Sequence, residues 1–221
     1  MFNFFRKKKA KVTINSISIP HFGWNKVEEN DSRIVWVNPE QSALISLNFF
    51  DIQPDIPTVK DLGFLKKFYR RNISTSNSGI IEVALLDVHH IPGVKTIFKI
   101  PQPEGGMTYI SSITIPFENC SFVVKVQAAE VDVTGIRDAF VLEKLLSSGE
   151  INFENDQLQN WFEGPYDPTF KEGTPMNRSE HEQYDVEFPQ HPLSIARALI
   201  NQAGREIIFK PEIKELAAFR K

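Results

Sequence analysis

Three residues near the C-terminal end of the chain have the types that form a hydrolytic triad. The stretch QYDVEFPQHPLSIARALI, residues 183–200, contains Asp185, His191 and Ser194. A triad needs a nucleophile within hydrogen-bond reach of a base, and a carboxylate that orients the base. One helical turn can bring His191 close to Ser194. The stretch is therefore either a reacting site or a structural connection that leads into a helix.

The residues around His191 favour the structural role. Proline restricts the residue before it to an extended conformation, so His191, which precedes a proline, suits the N-cap position of a helix. Ser194 then falls in the first turn, where a serine hydroxyl often bonds to the helix's own backbone. Phe188 and Leu193 can anchor the segment by burial. We therefore predict that residues 183–200 form a clasp, which fixes the preceding loop to the body and begins a helix.

The alternative is a binding site at the same place, because the preceding segment has an unusual composition. Residues 150–190 show no sustained hydrophobic period, yet they contain seven aromatic residues. Disordered linkers are poor in aromatics, so we predict that this loop packs on the body, and loops of this length are usually functional. Ten acidic residues in it suit a basic partner. The candidate binding residues are Asp185, His191, Arg197, Trp161 and Tyr166.

The overall composition is that of a globular protein. The chain has 221 residues, 41% of them hydrophobic, which is enough to bury a core without disulfides or metal. A single cysteine, Cys120, excludes an internal disulfide and suits a reducing compartment, so we expect a cytoplasmic location. Residues 1–11 are basic and are predicted to be flexible, whereas the remainder is acidic overall. Nucleic acid is therefore disfavoured as a partner.

Sequence motifs for cofactors, metals and membrane spans are absent. The chain contains no phosphate-binding glycine loop, no dinucleotide fingerprint and no nucleophile elbow. His89 and His90, on a predicted strand, would point to opposite faces, and His181 lacks metal-binding spacing. No run of 18 apolar residues occurs, so we expect no transmembrane segment. We expect neither cofactor nor metal.

Hydrophobic alternation predicts an antiparallel sheet before residue 130. The stretches 42–50 and 120–130 alternate between apolar and polar residues, which is typical of a half-buried strand. Between 80 and 130, links at Pro92-Gly93, at QPEGG and at Glu118-Asn119 predict a four-stranded meander.

Helices are predicted on both sides of the meander and at the C-terminal end. The first covers 59–73 with Thr58 as N-cap, and the second has Thr134 as N-cap and Gly149 at its end. Arg137 in the second helix should pair with a carboxylate such as Glu130. The third helix should end near Gly204, before a short strand and a last small helix. The apolar stripe predicted for the second helix consists of Ile136, Ala139, Phe140, Leu142 and Leu146.

This order of elements resembles the α/β/α sandwich of the PsbP-like superfamily over about residues 12–150. The resemblance is carried by PHFGWNKVEE before the first strands, by the helix at 59–73 and by the meander. It implies an α+β fold in which an antiparallel sheet is flanked by helices. Since the superfamily is mostly non-catalytic and binds protein partners, it also implies an interaction role.

Two functions from different classes remain open. The first is a non-catalytic protein–protein interaction module that neutralises or assembles a protein partner of basic character. The alternative is a small-molecule binder or hydrolase whose pocket is closed by the 150–190 loop. We expect a basic N-terminus at 1–11, a sheet domain at 12–150, and a loop and C-terminal helices at 151–221 packed on that domain.

Overall fold

The computed structural model describes residues 11–73, 77–164, 166 and 172–221, and contains one large antiparallel sheet. The described strands are β1 (Ile17–Ser18), β2 (Asn25–Glu29), β3 (Arg33–Val37), β4 (Ala43–Phe50), β5 (Gly79–Val88), β6 (Ile91–Pro101), β7 (Met107–Pro116), β8 (Ser121–Ala129), β9 (Asn152–Glu154), β10 (Gln157–Gln159), β11 (Phe162–Glu163), β12 (Met176–Asn177) and β13 (Ile208–Phe209). The large sheet has the order β2-β3-β4-β8-β7-β6-β5, and the remaining strands form three two-stranded ribbons, β1 with β13, β9 with β10, and β11 with β12.

The described α-helices are α1 (Leu62–Ile73), α2 (Ile136–Ser147) and α3 (Pro192–Glu206). Short 3-10 helices cover Ile14–Ser16, Arg178–Glu180, Glu182–Tyr184 and Pro211–Glu215. The predicted α+β class is therefore confirmed, with a large antiparallel sheet flanked by helices. No helix in the described ranges is long and apolar enough to cross a bilayer.

The predicted four-stranded meander is confirmed as β5 to β8, but its first turn was placed wrongly. Pro92 and Gly93 lie within β6, where they pair with β5. The turn consists of His89 and His90, which have positive φ angles of 50° and 71°. A two-residue turn with positive φ at both positions matches the twist of the flanking strands. These histidines therefore occupy a turn, and the argument that they point to opposite faces of a strand does not apply.

Two predicted helix caps are also corrected. α1 begins at Leu62, and the Asp61 carboxylate accepts a hydrogen bond from the Phe64 N–H at 2.9 Å. The predicted cap, Thr58, accepts from the Lys60 N–H at 3.0 Å, which lies before the helix. The residue that caps α1 is therefore Asp61, which is closer to the first turn than Thr58.

The beginning of α2 depends on a glycine rather than on the predicted threonine. Gly135, with a φ of 73°, is the N-cap, and Thr134 precedes it. The predicted end is confirmed, because Gly149 has a φ of 75° and donates a hydrogen bond to the Leu146 carbonyl. Glycine adopts this left-handed conformation without steric cost at both ends of the helix.

α3 crosses the large sheet over β7 and β8, with one fully buried side. Gly204 lies inside this helix, which ends at Glu206, and not at its end as predicted. The position requires a glycine because a Cβ there would come within 2.8 Å of the Ile113 Cδ1 atom. The glycine thus permits close approach of the helix to the sheet. The buried side of α3 contains Leu193, Ala196, Ile200 and Ala203.

Candidate functional site: a buried arginine cluster beside an apolar groove

Arg137, in the first turn of α2, is fully buried and bonds to four groups far along the chain. Its Nε donates to the Ser179 carbonyl at 2.7 Å, and its Nη2 donates to the His181 carbonyl at 3.0 Å. Its Nη1 donates to Asp185 Oδ1 at 2.9 Å and to Ser194 Oγ at 2.8 Å. This one side chain therefore joins α2 to residues 179–185 and to the beginning of α3.

Asp185 accepts hydrogen bonds from two arginines. Arg197 Nη1 lies 2.9 Å from the same Oδ1 atom that Arg137 binds, and the Ser194 hydroxyl donates to it at 3.1 Å. Arg197 Nη2 donates to the Glu180 carbonyl. The Asp185 side chain is 18% exposed, and it compensates the charge of guanidinium groups that are almost completely buried. A carboxylate held in this way fixes the position of both guanidinium groups.

A second buried ion pair connects the same region to the sheet. Lys99 Nζ on β6 donates to Glu180 Oε2 at 2.7 Å, and each side chain is only 2% exposed. The Asn177 N–H donates to the same oxygen at 2.9 Å. Burial raises the pKa of the Glu180 carboxyl, and this effect outweighs the opposing influence of Lys99 and Asn177. Residues 177–185 are thus fixed by polar contacts to α2, α3 and β6.

His191 occupies the N-cap of α3, as predicted, and both of its ring nitrogens face partners. Nδ1 accepts from the Leu193 N–H at 3.2 Å, while Nε2 lies 3.4 Å from Glu130 Oε1. The hydroxyl of Ser194 does not bond to the helix backbone, contrary to expectation, because it bridges Arg137 and Asp185. The serine and the histidine therefore have different partners, and the three residues do not assemble a triad.

Glu130 supports this arrangement from the end of β8. Its carboxylate accepts from the Met107 N–H at 2.8 Å and from the Gly135 N–H at 3.0 Å. Burial raises the pKa of Glu130, but hydrogen bonds from His191 and from these two backbone groups together lower that pKa below the ordinary value. Glu130 was the suggested partner of Arg137, and that pairing was wrong, since the carboxylate caps the loop before α2 instead.

We expect Glu130→Gln to remove part of the acid sensitivity of the fold. The folded-state pKa of Glu130 is lowered from 4.5, so its carboxylate stabilises the protein above that pH and loses this effect as the pH falls through the folded pKa. The difference in unfolding free energy between wild type and variant should therefore shrink below about pH 4.5. Denaturant titrations from about pH 7 to about pH 3 measure it.

The matched control for this prediction is Glu104→Gln, at an exposed acid of the turn between β6 and β7. Its unfolding free energy should follow that of the wild type across the same pH range. If the difference in unfolding free energy between Glu130→Gln and wild type stays constant down to about pH 3, the carboxylate does not stabilise the fold in the way described above.

An apolar groove of about 400 Å³ opens beside His191. Its floor includes Ala43 and Ala129, at the ends of β4 and β8, and its walls come from α2, α3 and residues 187–192. Three apolar residues at its margin are exposed: Val133 at 72%, Ile136 at 47% and Val131 at 57%. The groove could not be predicted from the sequence because it is assembled from three separate segments, 42–43, 128–137 and 187–195.

A second depression of about 250 Å³ continues from the groove along α2. Phe188 lines both of them, and Phe140, which is 62% exposed, packs against Phe188 with ring centroids 6.4 Å apart. We call the two depressions together the α2 groove. The exposed charged residues that line it are two acids, Glu143 and Glu187, and one base, Lys144, which pairs with Glu187 at 2.9 Å.

The predicted apolar stripe of α2 was wrong in its orientation. Ile136, Ala139 and Phe140 are exposed, contrary to the prediction, and the fully buried apolar residues are Val141 and Leu145. Two members of the predicted stripe, Leu142 and Leu146, are partly buried and do pack on that core. Apolar residues therefore occupy both sides of this helix, and the outward side lies on the α2 groove. A sequence signal existed, since the helix contains more apolar residues than one buried stripe needs.

Trp161 and Tyr166, two of the candidate binding residues, lie elsewhere. Trp161 is buried in a small core with Tyr184 and the inward side of α2. The Tyr166 hydroxyl accepts from the Val83 N–H at 2.6 Å, and Lys66 Nζ lies 3.9 Å from the centre of its ring. The cavity next to Tyr166 has a volume of only about 30 Å³. The structure thus places His191 on the groove and Asp185 and Arg197 behind it. Trp161 and Tyr166 lie apart from the groove.

Many acids of residues 150–190 are already paired within the chain. Among the described residues, the ion pairs are Glu150 with Arg178, Glu180 with Lys99, Asp185 with Arg137 and Arg197, and Glu187 with Lys144. Glu163 also contacts the ring of His181. The acidity of this segment therefore serves internal contacts as well as the surface. The basic residues predicted at 1–11 lie almost entirely outside the described ranges.

These observations define an α+β protein with a polar cluster behind an apolar groove. No protein-family model and no curated protein matches the chain. Similar solved structures include a Bacteroides thetaiotaomicron protein (13% identity, TM-score 0.36), of which 41% is covered by 55% of this chain. The Ran-binding protein Mog1p of Saccharomyces cerevisiae (14%, TM-score 0.36) matches over 58% of this chain and 78% of its own.

A third similar structure is the cyanobacterial PsbP of Synechocystis, with 11% identity and a TM-score of 0.35. It covers 57% of this chain and 79% of its own length. The solved structures with a weak likeness to this chain thus include a PsbP protein. The chain spans less than half of the Bacteroides protein. At these TM-scores the likeness does not bear on function.

Proposed function

We propose that this protein is a non-catalytic binding module that holds a segment of a partner protein in the α2 groove. The observation that carries the proposal is the outward apolar side of α2. Phe140 and Ile136 are exposed, although the helix already buries Val141 and Leu145 against the body. Exposed apolar clusters around a depression mark interaction sites, because leaving them in water is unfavourable.

The occupant that fits is an amphipathic helix of the partner. The α2 groove has two adjacent depressions with Phe188 between them, and anchors spaced by one helical turn can fill such a pair. Among the exposed charged residues that line it, Glu143 and Glu187 outnumber Lys144. A helix with basic residues beside its apolar anchors complements this charge. The single buried Cys120 supports a cytoplasmic setting for the interaction.

The geometry at His191 supports binding over hydrolysis. A general base needs a free ring nitrogen within reach of its proton donor. Here Nδ1 caps α3 and Nε2 faces Glu130, while Asp185 is shared by two arginines. The alternative of a hydrolase would require these contacts to break, so we do not favour it.

A designed peptide tests the proposal. The probe is a labelled amphipathic helix of about 18 residues, roughly five turns, with Leu on one side and Lys on the other. We expect it to bind the wild-type protein, and we expect Phe140→Asp to weaken binding at least about tenfold, the effect of losing a central anchor. Fluorescence anisotropy titrations measure both affinities.

Phe153→Asp is the matched control, because Phe153 in β9 is also 62% exposed and does not line the groove. It should bind the probe like the wild type. A second peptide with Glu in place of Lys should bind weakly. An equal loss of affinity in both protein variants would contradict binding in the groove. Equal affinity for both peptides would contradict its charge preference.

A further inference from the structure

A larger cavity, separate from the α2 groove, lies where the C-terminal segment meets the sheet. It has a volume of about 660 Å³ and shares no lining residue with the groove. The turn between β5 and β6, the end of β7, and residues 207–219 surround it. Ligand sites in proteins usually have volumes of about 300 to 1,000 Å³ and mostly apolar walls. This cavity meets both conditions.

The walls are apolar and come from residues distant in the sequence. Phe117 and Ile213 belong to the main core, and Phe219 belongs to the core beneath α1. Ile208 in β13 is 66% exposed. Phe117, Ile213 and Phe219 are already buried, so a hydrocarbon chain in the cavity would remove from water its own surface and that of Ile208.

The charged and imidazole side chains of this lining are one lysine and two histidines. Lys214 is exposed and makes no hydrogen bond or ion pair with the described part of the chain. His89 and His90 complete the set, and no aspartate or glutamate contributes to the lining. Glu212 and Glu215, the acids nearest to Lys214 in the sequence, are not among the lining residues.

The two histidines occupy backbone positions that normally favour asparagine and glycine. Both residues of the β5–β6 turn have positive φ, a geometry in which Asn-Gly is the preferred pair. His89 Nε2 donates to the Ile207 carbonyl at 2.8 Å, and the His90 N–H donates to Asp87 at 2.7 Å. Uncommon residues at strained positions concentrate at functional sites. The turn thus presents imidazoles at the cavity where smaller residues would suffice.

We propose that this cavity binds a small apolar monocarboxylate, such as a fatty acid. The hydrocarbon part contacts Phe117, Ile213 and Phe219, and the carboxylate lies near Lys214 and His90. An apolar cavity with an unpaired ammonium group and no acidic residue in its lining favours an anion over a neutral or cationic ligand.

Calorimetric titration with sodium decanoate, below its micelle concentration, tests the proposal against 1-decanol as a neutral analogue. We expect decanoate to bind the wild-type protein more tightly than decanol. Lys214→Met should weaken decanoate binding about fivefold, the scale of one exposed ion pair, and leave decanol unaffected. Lys210→Met is the matched control, because Lys210 is exposed, lies close in sequence and does not line the cavity.

A filling variant locates the ligand independently of charge. Ala218 lines the cavity and is exposed, so Ala218→Trp should fold, as its circular dichroism spectrum would show, and should bind neither ligand. Undetectable decanoate binding to the wild type, unchanged binding in Ala218→Trp, or equal loss in the Lys214 and Lys210 variants would each overturn the proposal. None of these results depends on the α2 groove.

Discussion

Arg137→Ala should lower the free energy of unfolding by about 3 to 5 kcal/mol, the usual effect of breaking a buried ion pair by removing one partner. Arg137 is completely buried, and its guanidinium donates to two backbone carbonyls, to Asp185 and to Ser194. Truncation removes the donor to the Ser179 carbonyl and one of the two arginines that bind Asp185, in a place that water reaches poorly. Denaturant unfolding followed by circular dichroism measures the change.

Arg178→Ala is the matched control for this prediction. Arg178 also donates to a carboxylate, Glu150, at 2.6 Å, but that carboxylate is half exposed. Removing an ion pair near solvent should change the unfolding free energy by no more than about 1 kcal/mol. If the two arginine variants are destabilised equally, burial of Arg137 is not what makes its contacts important.

Leu193→Ala should cost about 2 to 5 kcal/mol of unfolding free energy. Leu193 lies in the first turn of α3, is fully buried, and packs in the main core between this helix and the sheet. The cavity left by truncation cannot close easily, because His191 fixes the beginning of α3 through the Leu193 N–H. Denaturant unfolding of the variant measures this effect.

Val186→Ala provides the comparison, since Val186 is 84% exposed in the segment just before α3. A surface substitution of this kind should stay within about 0.5 kcal/mol of the wild type. A Leu193 variant as stable as the Val186 variant would mean that α3 does not depend on this buried side for its position.

Local patterns in the sequence were sufficient for the sheet and for one helix cap. Alternation of apolar residues and short links predict the meander of β5 to β8, because hairpin pairing depends on neighbouring segments. The position of His191 before Pro192 predicts the N-cap of α3 for a similarly local reason, the steric restriction of the residue before proline. Both features depend on residues that are close in the sequence.

The orientation of α2 could not be predicted in the same way. Apolar residues lie on two sides of this helix, and only its packing on Trp161 and Tyr184 shows that Val141 and Leu145 face inward. The partner of Arg137 is 48 residues away, so spacing offers no way to select Asp185 over Glu130. Its hydrogen bonds to residues 179–194, distant in the sequence, also explain why Arg137 can occupy a fully buried position in the amphipathic helix α2.

The candidate site illustrates the same limit. Asp185, His191 and Arg197 are close in the sequence, yet the first and last form a buried cluster, whereas His191 bonds to α3 and faces Glu130. The residues that define the α2 groove, such as Phe140, have no chemical motif. They become a candidate surface only when their exposure is known.

Hydrogen–deuterium exchange of the protein with and without the Leu–Lys peptide tests the proposed docking surface most directly. Bound peptide should slow exchange in residues 131–143 and 187–195, which form the α2 groove, and should leave the acidic hairpin of β9 and β10 unchanged. Protection confined to the hairpin, or found nowhere at saturating peptide, would contradict the assignment of the docking surface to the α2 groove.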